Sequence, residues 1–392
     1  MTRIARLLLV LVAGYSTVWA SGPIIVGGPQ LGRDGEPFRW NPAAMPIRYR
    51  VDAGPMSATL NNSAGRTLVQ RMFQVWQNVP TASISYNYDS PILGASGILP
   101  DVSTVEQFNE VMGACARGEQ SPIIFDADGS LMQALGIEGV IGFAPICSVD
   151  SAPDRGYIKT AAVVMNGKYA DGNLANSEAS GNIFDVAITH ELGHFSGLGH
   201  SQVNVQSFHQ KSCAVDLLAG LPLMFPIPGC SRPTDGGGLP LLAVDDLASL
   251  ASLYPNGQTQ SAYGTLSGRV FFSDGVSQVQ GANVVARRVD VPSTPEDESL
   301  RIAVSSVSGY RFTGNPGQPF SGTNDEGDPT GSRNADDIGY FRMLVPAGTY
   351  TLEVESIEST FRDGSGVGPL SPPVPIPGLP EFWNEGESAF DY

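Results

Sequence analysis

The chain has 392 residues and a formal net charge of −17, and 42% of its residues are hydrophobic. This hydrophobic fraction is enough to bury a core, which excludes a wholly disordered chain, and the length predicts two or three domains. An acidic protein repels phosphate backbones, so we expect no nucleic-acid partner. Because the chain has only four histidines, their positions are the main clue to function.

Residues 1–20 have the pattern of a secretory signal peptide. Arg3 and Arg6 precede a short apolar run, and small residues in Val18-Trp19-Ala20 suit a cleavage site. The run is too short to span a membrane comfortably, so we expect cleavage and no stable membrane insertion afterwards; an uncleaved anchor is the alternative. The mature protein is therefore expected to be secreted, either extracellular or periplasmic. Residues 21–36 are rich in Gly and Pro and predict an extended segment.

Mixed patterns predict an α+β domain over residues 37–255. Ser103 and Glu106 have the spacing of a capping box that opens a short helix. Alternating runs predict strands, and amphipathic runs predict helices. The strands are expected at 47–51, 84–88, 123–125, 140–144 and 161–165, and the longer helices at 63–76, 183–195 and 243–253.

The composition changes after residue 255. Residues 256–262 are polar and turn-rich, which predicts a linker between domains. Short alternating runs separated by Gly-rich turns follow, so residues 263–392 are expected to form an all-β sandwich.

Three of the four histidines fall within residues 190–200, in the pattern HExxHxxGxxH. On a helix His190 and His194 project from one face, so both can bind one ion. Glu191 is offset around the helix and is placed to accept a proton from a water activated at the metal. Gly197 can end the helix in the left-handed conformation and bring back His200 as a third ligand. Three protein ligands leave one position open, which is typical of catalytic zinc.

The segment around this motif resembles the metzincin zinc peptidases, and most closely the matrixin branch. Val186-Ala187-Ile188-Thr189 before the motif and Ser201 after it are similar to the matrixin pattern. Leu223-Met224-Phe225-Pro226 resembles the family's Met-turn, and Asp245-Asp246-Leu247 resembles its C-terminal helix, whose paired Asp anchor the fold. The resemblance implies a twisted mixed sheet with a long active-site helix and a C-terminal helix. It also implies one catalytic Zn²⁺, protein or peptide substrates, and a role for Met224 as the hydrophobic base of the site.

The same resemblance implies a substrate-binding edge strand within residues 140–145. Gly142, Phe143 and Ala144 would line it, and Pro226 would help to wall the neighbouring pocket; a plain core strand is the alternative reading of these residues. The chain also departs from the family. Only His209 is left for the family's second, structural zinc, and no cysteine precedes Cys115 to serve as an inhibitory propeptide thiol.

Asp126 and Asp128 flank Ala127 and precede Gly129, a grouping that can bind calcium. The full EF-hand spacing is missing because no Glu stands at its twelfth position, so the sequence favours a turn and helix cap over a Ca²⁺ site.

The four cysteines are even in number and follow an export signal, which predicts two disulfides. Three pairings are open, and nearest neighbours favour Cys115 with Cys147 and Cys213 with Cys230. Free thiols or metal ligands are the alternative, but the absence of a CxxC pair disfavours a thiolate zinc site.

The C-terminal region resembles the carboxypeptidase regulatory-like, transthyretin-like β-domain in Gly281-Ala282-Asn283-Val284 and Pro346-Ala347-Gly348-Thr349-Tyr350. That resemblance implies an accessory or stabilising role. The sequence as a whole predicts a secreted zinc endopeptidase. The alternative is a catalytically inactive, zinc-containing binding or adhesion protein that uses its β-domain for surface or matrix contacts.

Overall fold

The computed structural model describes residues 22–31, 34–150, 156–173, 182–206, 220–227, 231–289, 299–312, 330–361, 366–370, 373–376 and 381–383. The expected signal peptide, His209, Cys213 and Cys230 lie outside these ranges. Within them no helix is both long enough and apolar enough to cross a membrane.

The described elements mix helices and strands along the chain. The α-helices are α1 Asn62–Gln77, α2 Val105–Ala116, α3 Ser130–Ala134, α4 Ile183–Phe195, α5 Val244–Leu253 and α6 Thr259–Ala262. Short 3-10 helices cover Pro29–Leu31, Pro42–Ala44, Gly167–Ala170 and Ala335–Asp337. The strands are β1 Arg39–Trp40, β2 Ile47–Val51, β3 Tyr86–Pro91, β4 Leu93–Gly94, β5 Gly97–Ile98, β6 Pro122–Asp126, β7 Gly142–Phe143, β8 Ile146–Val149, β9 Tyr157–Ala161, β10 Val163–Asn166, β11 Tyr263–Arg269, β12 Asn283–Arg288, β13 Ala303–Val307, β14 Tyr340–Pro346, β15 Tyr350–Glu355 and β16 Glu381–Phe382.

A five-stranded sheet, the N-terminal sheet, has the strand order β3-β2-β6-β10-β7. Its first four strands are parallel, and β7 is an antiparallel strand at one edge. Every residue of β6 is buried. Ile123 and Phe125 enter the cluster that holds α1 and α4, whereas Ile124 enters the cluster that holds α2. Helices therefore cover both faces of this sheet, as parallel strands require.

Local side-chain chemistry fixes where α2 begins. The capping box is formed by Thr104 and Gln107, one residue later than the Ser103 and Glu106 pair that the sequence suggested. The Gln107 Oε1 accepts from the backbone N–H of Thr104, and the Thr104 hydroxyl accepts from the N–H of Gln107. The far end of α2 is tied to β8 by the Cys115–Cys147 disulfide, the pairing that the sequence favoured.

A second, three-stranded sheet has the order β1-β9-β8. Strand β1 pairs with β9, and β9 is followed almost directly by β10 of the N-terminal sheet. The three-stranded sheet therefore links residues 39–40 to the N-terminal sheet.

Strands β11–β16 form two antiparallel sheets, which we call the C-terminal sandwich. One sheet pairs β11 with β14, and the other has the order β13-β12-β15-β16. Both contribute to one hydrophobic cluster, which also contains Ala248 and Ala251 of α5. The sandwich therefore packs directly against a helix of the N-terminal part of the chain.

The residues expected to be a linker, 256–262, are bound to the N-terminal part. The Thr259 side chain is buried, and its hydroxyl donates to the Thr81 carbonyl. The Asn256 amide donates to the Pro80 carbonyl. These hydrogen bonds hold the connection between the two parts of the chain in place.

Candidate metal centre

Helix α4 carries the first part of the site, and its bounds, Ile183–Phe195, confirm the predicted helix. All residues of the helix from Val186 to its end are buried. Two indole N–H groups hold it in place: Trp76 Nε1 donates to the Thr189 carbonyl, and Trp40 Nε1 to the Phe195 carbonyl. The Tyr254 hydroxyl donates to the Ser196 carbonyl just past the helix end. The backbone that presents His190 and His194 is thus fixed on several sides.

The chain reverses direction at Gly197, which has φ of +91°. Glycine adopts this left-handed conformation without a steric penalty, so the helix stops there as predicted. The following residues turn back and place His200 beside the helix face that carries His190 and His194.

The three imidazoles converge on one point. The Nε2 atom of His200 lies 3.1 Å from Nε2 of His190 and 3.0 Å from Nε2 of His194. We call His190, His194 and His200 the histidine triad. Within the described ranges they form the one group of three or more His, Cys, Asp or Glu side chains close enough to hold a metal ion.

Each imidazole of the triad uses its other nitrogen in a hydrogen bond to a backbone carbonyl. His190 Nδ1 donates to Leu223 O at 2.8 Å, His194 Nδ1 to Leu198 O at 2.7 Å, and His200 Nδ1 to Gly366 O at 2.9 Å. Because a carbonyl can only accept, each Nδ1 carries the proton and each Nε2 presents a lone pair. Three lone pairs therefore face one another with no proton between them.

Burial keeps the three rings neutral. It lowers the pKa of His190 to about 4 and that of His200 to about 3, and it holds the pKa of His194 well below its usual range. Neutral imidazoles with converging lone pairs are well suited to bind a divalent transition metal. The residues present thus fit a single ion such as Zn²⁺.

Glu191 lies on the same helix and is not one of the converging ligands. Its side chain is buried, and burial raises the pKa of its carboxyl to about 8. A Cβ placed on Gly142 would lie 2.9 Å from Cγ of Glu191, so the carboxylate side chain runs against the edge strand β7. The structure therefore brings Glu191 and Gly142 together beside the triad.

The other residues expected to line the edge strand and the neighbouring pocket differ from one another in their surroundings. Phe143 of β7 pairs with Val164 of β10, whereas Ala144 is buried in the hydrophobic cluster that holds α1 and α4. Pro226 is half-buried and follows the buried Met224 and Phe225.

Met224 is buried and packs against Gly193 in the middle of α4. A Cβ placed on Gly193 would come within 2.3 Å of its sulfur, so the two are in close contact. The Asp246 carboxylate accepts hydrogen bonds from the backbone N–H groups of Leu223, Met224 and Ala243. This carboxylate fixes the turn whose Leu223 carbonyl orients His190.

Sequence reasoning missed Arg232, a buried cation near this turn. Its guanidinium donates to the Pro222 carbonyl at 3.3 Å, and burial lowers its pKa to about 10 although the nearby Asp246 raises it. No spacing rule in the sequence marks this residue.

Asp126 and Asp128 both act on the turn that opens α3. Asp126 accepts from the N–H groups of Leu131 and Met132, and Asp128 accepts from that of Ser130. These bonds are the turn-and-cap role that the sequence favoured, and calcium binding at this position stays a prediction.

Comparisons of the chain with protein-family models, with curated proteins and with solved structures found no match.

Proposed function

We propose that this protein is a secreted zinc-dependent endopeptidase of the metzincin type, with a matrixin-like catalytic domain. The observation that carries the proposal is the convergence of three neutral imidazoles, with His200 Nε2 within 3.1 Å of the other two Nε2 atoms and a buried glutamate on the same helix. The expected signal peptide and the Cys115–Cys147 disulfide support export.

His190, His194 and His200 would hold the ion, which when bound polarises a carbonyl and makes water more acidic. Glu191 is placed to take the proton from the attacking water and to pass a proton to the leaving amine. Its buried position beside the triad keeps bulk water from competing for that proton.

The edge strand β7 would bind the substrate backbone. It is the last strand in the order of the N-terminal sheet, and it runs beside Glu191. An extended peptide can add to such an edge through main-chain hydrogen bonds. A peptide bound there would pass next to the carboxylate, which favours peptides as the substrate class.

The test compares wild type with Glu191→Gln in peptide-library cleavage and zinc analysis. We expect wild type to cleave peptides, and Glu191→Gln to keep its zinc and lose about 10²–10⁴-fold in rate, the usual contribution of a general base. Glu106→Gln, at an exposed glutamate of α2, is the matched control and should cleave as wild type does.

Full cleavage by the zinc-loaded Glu191→Gln protein would refute the assignment of Glu191. A wild type that holds zinc and cleaves no peptide would instead favour the binding or adhesion function.

A further inference from the structure

The third histidine of the triad is oriented by a residue far away in the sequence. His200 Nδ1 donates to the carbonyl of Gly366, which lies 166 positions later. The corresponding carbonyls for His190 and His194 belong to Leu223 and Leu198, both in the N-terminal part of the chain. Gly366 follows β15 of the C-terminal sandwich. One of the three hydrogen bonds that set the ligand geometry is therefore supplied by the sandwich region.

The chain that continues from His200 is bound to the same region through Gln202. The amide nitrogen of this fully buried side chain donates to Glu355 Oε1 at 3.0 Å and to the Ser356 carbonyl at 2.8 Å. Its amide oxygen accepts from the Glu358 N–H at 2.5 Å. Glu355 also accepts from Asn283 of β12. Gln202 thus ties the loop after His200 to two strands of the sandwich.

Asn204 adds a second polar connection two residues further on. Arg287 of β12 donates to its side-chain oxygen at 2.6 Å, and its amide donates to the Leu300 carbonyl at 2.8 Å. Asn204 has φ of +62°, a backbone conformation that is uncommon for residues other than glycine. The same amide also donates to the Gly220 carbonyl at 2.8 Å, so the path of this loop is set by contacts with both the sandwich and the segment before Met224.

Apolar packing holds the Gly366 segment in place. Its neighbour Val367 is buried in a cluster that joins the loop after His200, the turn after Met224 and the sandwich. The cluster contains Val205, Leu221, Phe225, Val307, Ile357, Phe361 and Val367. A shift of the segment would disturb the surroundings of His200 and Met224 together.

We propose that the C-terminal sandwich is a structural part of the metal centre, and that Gly366 is a positioning residue for His200. A hydrogen bond at Nδ1 fixes the tautomer and ring direction of a metal-binding histidine. Metal binding and docking of the sandwich then reinforce each other, because a coupling between two events acts in both directions. This role goes beyond the accessory one that the sequence resemblance implied. It rests on the metal ion of the proposed function, but not on peptide hydrolysis.

The test measures zinc affinity in the full chain by competition with a chelator. Val367→Ala loosens the segment next to Gly366, and Gln202→Ala removes the three hydrogen bonds of that side chain. Val345→Ala is the matched control, since Val345 is buried in a sandwich cluster that includes neither the residues after His200 nor the Gly366 segment. The absorption spectrum of bound Co²⁺ is recorded for each protein as a readout of ligand geometry.

We expect Val367→Ala and Gln202→Ala to weaken zinc binding about 10- to 100-fold, the usual effect of losing an outer hydrogen bond to a ligand. Their Co²⁺ spectra should change as well. Val345→Ala should lower the melting temperature and leave the zinc dissociation constant within about twofold of wild type, because it affects packing alone. Equal zinc affinities in all four proteins, or an equal loss in Val345→Ala, would overturn the proposal.

If a variant fails to fold, hydrogen exchange of the wild type tests whether zinc binding is coupled to the C-terminal sandwich. Zinc should slow amide exchange in residues 366–370 and 352–361 while leaving β11 unchanged. Zinc protection confined to residues 190–206 would contradict the coupling. A wild type that binds no zinc refutes the proposed function as well, whereas zinc binding unaffected by the variants refutes only the role of the sandwich.

Discussion

Substitution of Gly193 by alanine tests how tightly α4 packs against Met224 and Trp76. Gly193 lies between His190 and His194 in α4. In an open helix Gly→Ala stabilises by about 1 kcal/mol because alanine loses less backbone freedom on folding. Here the new Cβ would lie 2.3 Å from Met224 Sδ and 2.8 Å from Trp76 Cζ2, both well inside contact distance.

Neither neighbour can yield without cost. Both side chains are buried, and Trp76 donates its indole N–H to the Thr189 carbonyl at 2.8 Å. Overpacking of this kind costs about 1–3 kcal/mol, and a strained hydrogen bond adds about 1 kcal/mol. After the intrinsic gain of about 1 kcal/mol is subtracted, we expect Gly193→Ala to lower the free energy of unfolding by about 1–3 kcal/mol, and to weaken zinc binding because Met224 is displaced.

Urea unfolding of the metal-free protein measures this free energy, with Gly113→Ala as the matched control. Gly113 lies inside α2, and a Cβ there would meet only the end of the Arg117 side chain, at 3.4 Å. The control should be stabilised by about 0.5–1 kcal/mol. An equal stabilisation by Gly193→Ala would refute the packing of Met224 and Trp76 described above.

Three further predictions concern the pH dependence, the disulfide and the support of the methionine turn. Burial raises the pKa of Asp52 from 3.8 to about 6, so its contribution to stability is complete below about pH 4 and is lost as the pH rises through 6. Relative to Asp52→Asn, wild type should lose about 3 kcal/mol of unfolding free energy over this range. A difference between the two proteins that does not change with pH in urea unfolding would contradict this. The Cys115–Cys147 bond joins residues 32 positions apart, so replacing both cysteines by alanine should lower the unfolding free energy by about 3–4 kcal/mol. A loss below about 1 kcal/mol in denaturant titrations would be inconsistent with a formed bond. Asp246→Asn leaves at least one of three buried N–H groups unpaired, so it should lower the unfolding free energy by about 1–3 kcal/mol and weaken zinc binding. Unchanged zinc affinity in chelator competition would argue against the link from Asp246 to the triad.

The sequence predicted the triad because its ligands are local. His190, His194 and His200 lie within eleven residues, so helix geometry and one glycine turn decide their convergence. The hydrogen bond that orients His200 could not be predicted from the sequence, because its partner is distant along the chain. Gly366 is 166 residues away from His200, and it contributes a backbone carbonyl, which no residue type marks.

One smaller difference concerns the start of α2. Ser103 and Thr104 can both cap a helix, and Glu106 and Gln107 can both close a capping box, so the sequence offers two overlapping starts for α2. The structure forms the later one, with Thr104 and Gln107. Polar composition predicts a linker at 256–262, but it cannot show that the Thr259 hydroxyl donates to the Thr81 carbonyl, because that partner lies far away in the sequence.

The most direct test of the metal centre is X-ray absorption at the zinc edge of the purified full-length protein, combined with metal analysis. The geometry of His190, His194 and His200 predicts one zinc per chain, with three nitrogen ligands at about 2.0–2.1 Å and one oxygen ligand. A zinc-free protein after exposure to zinc, or a coordination shell with sulfur or with fewer than three nitrogens, would contradict it.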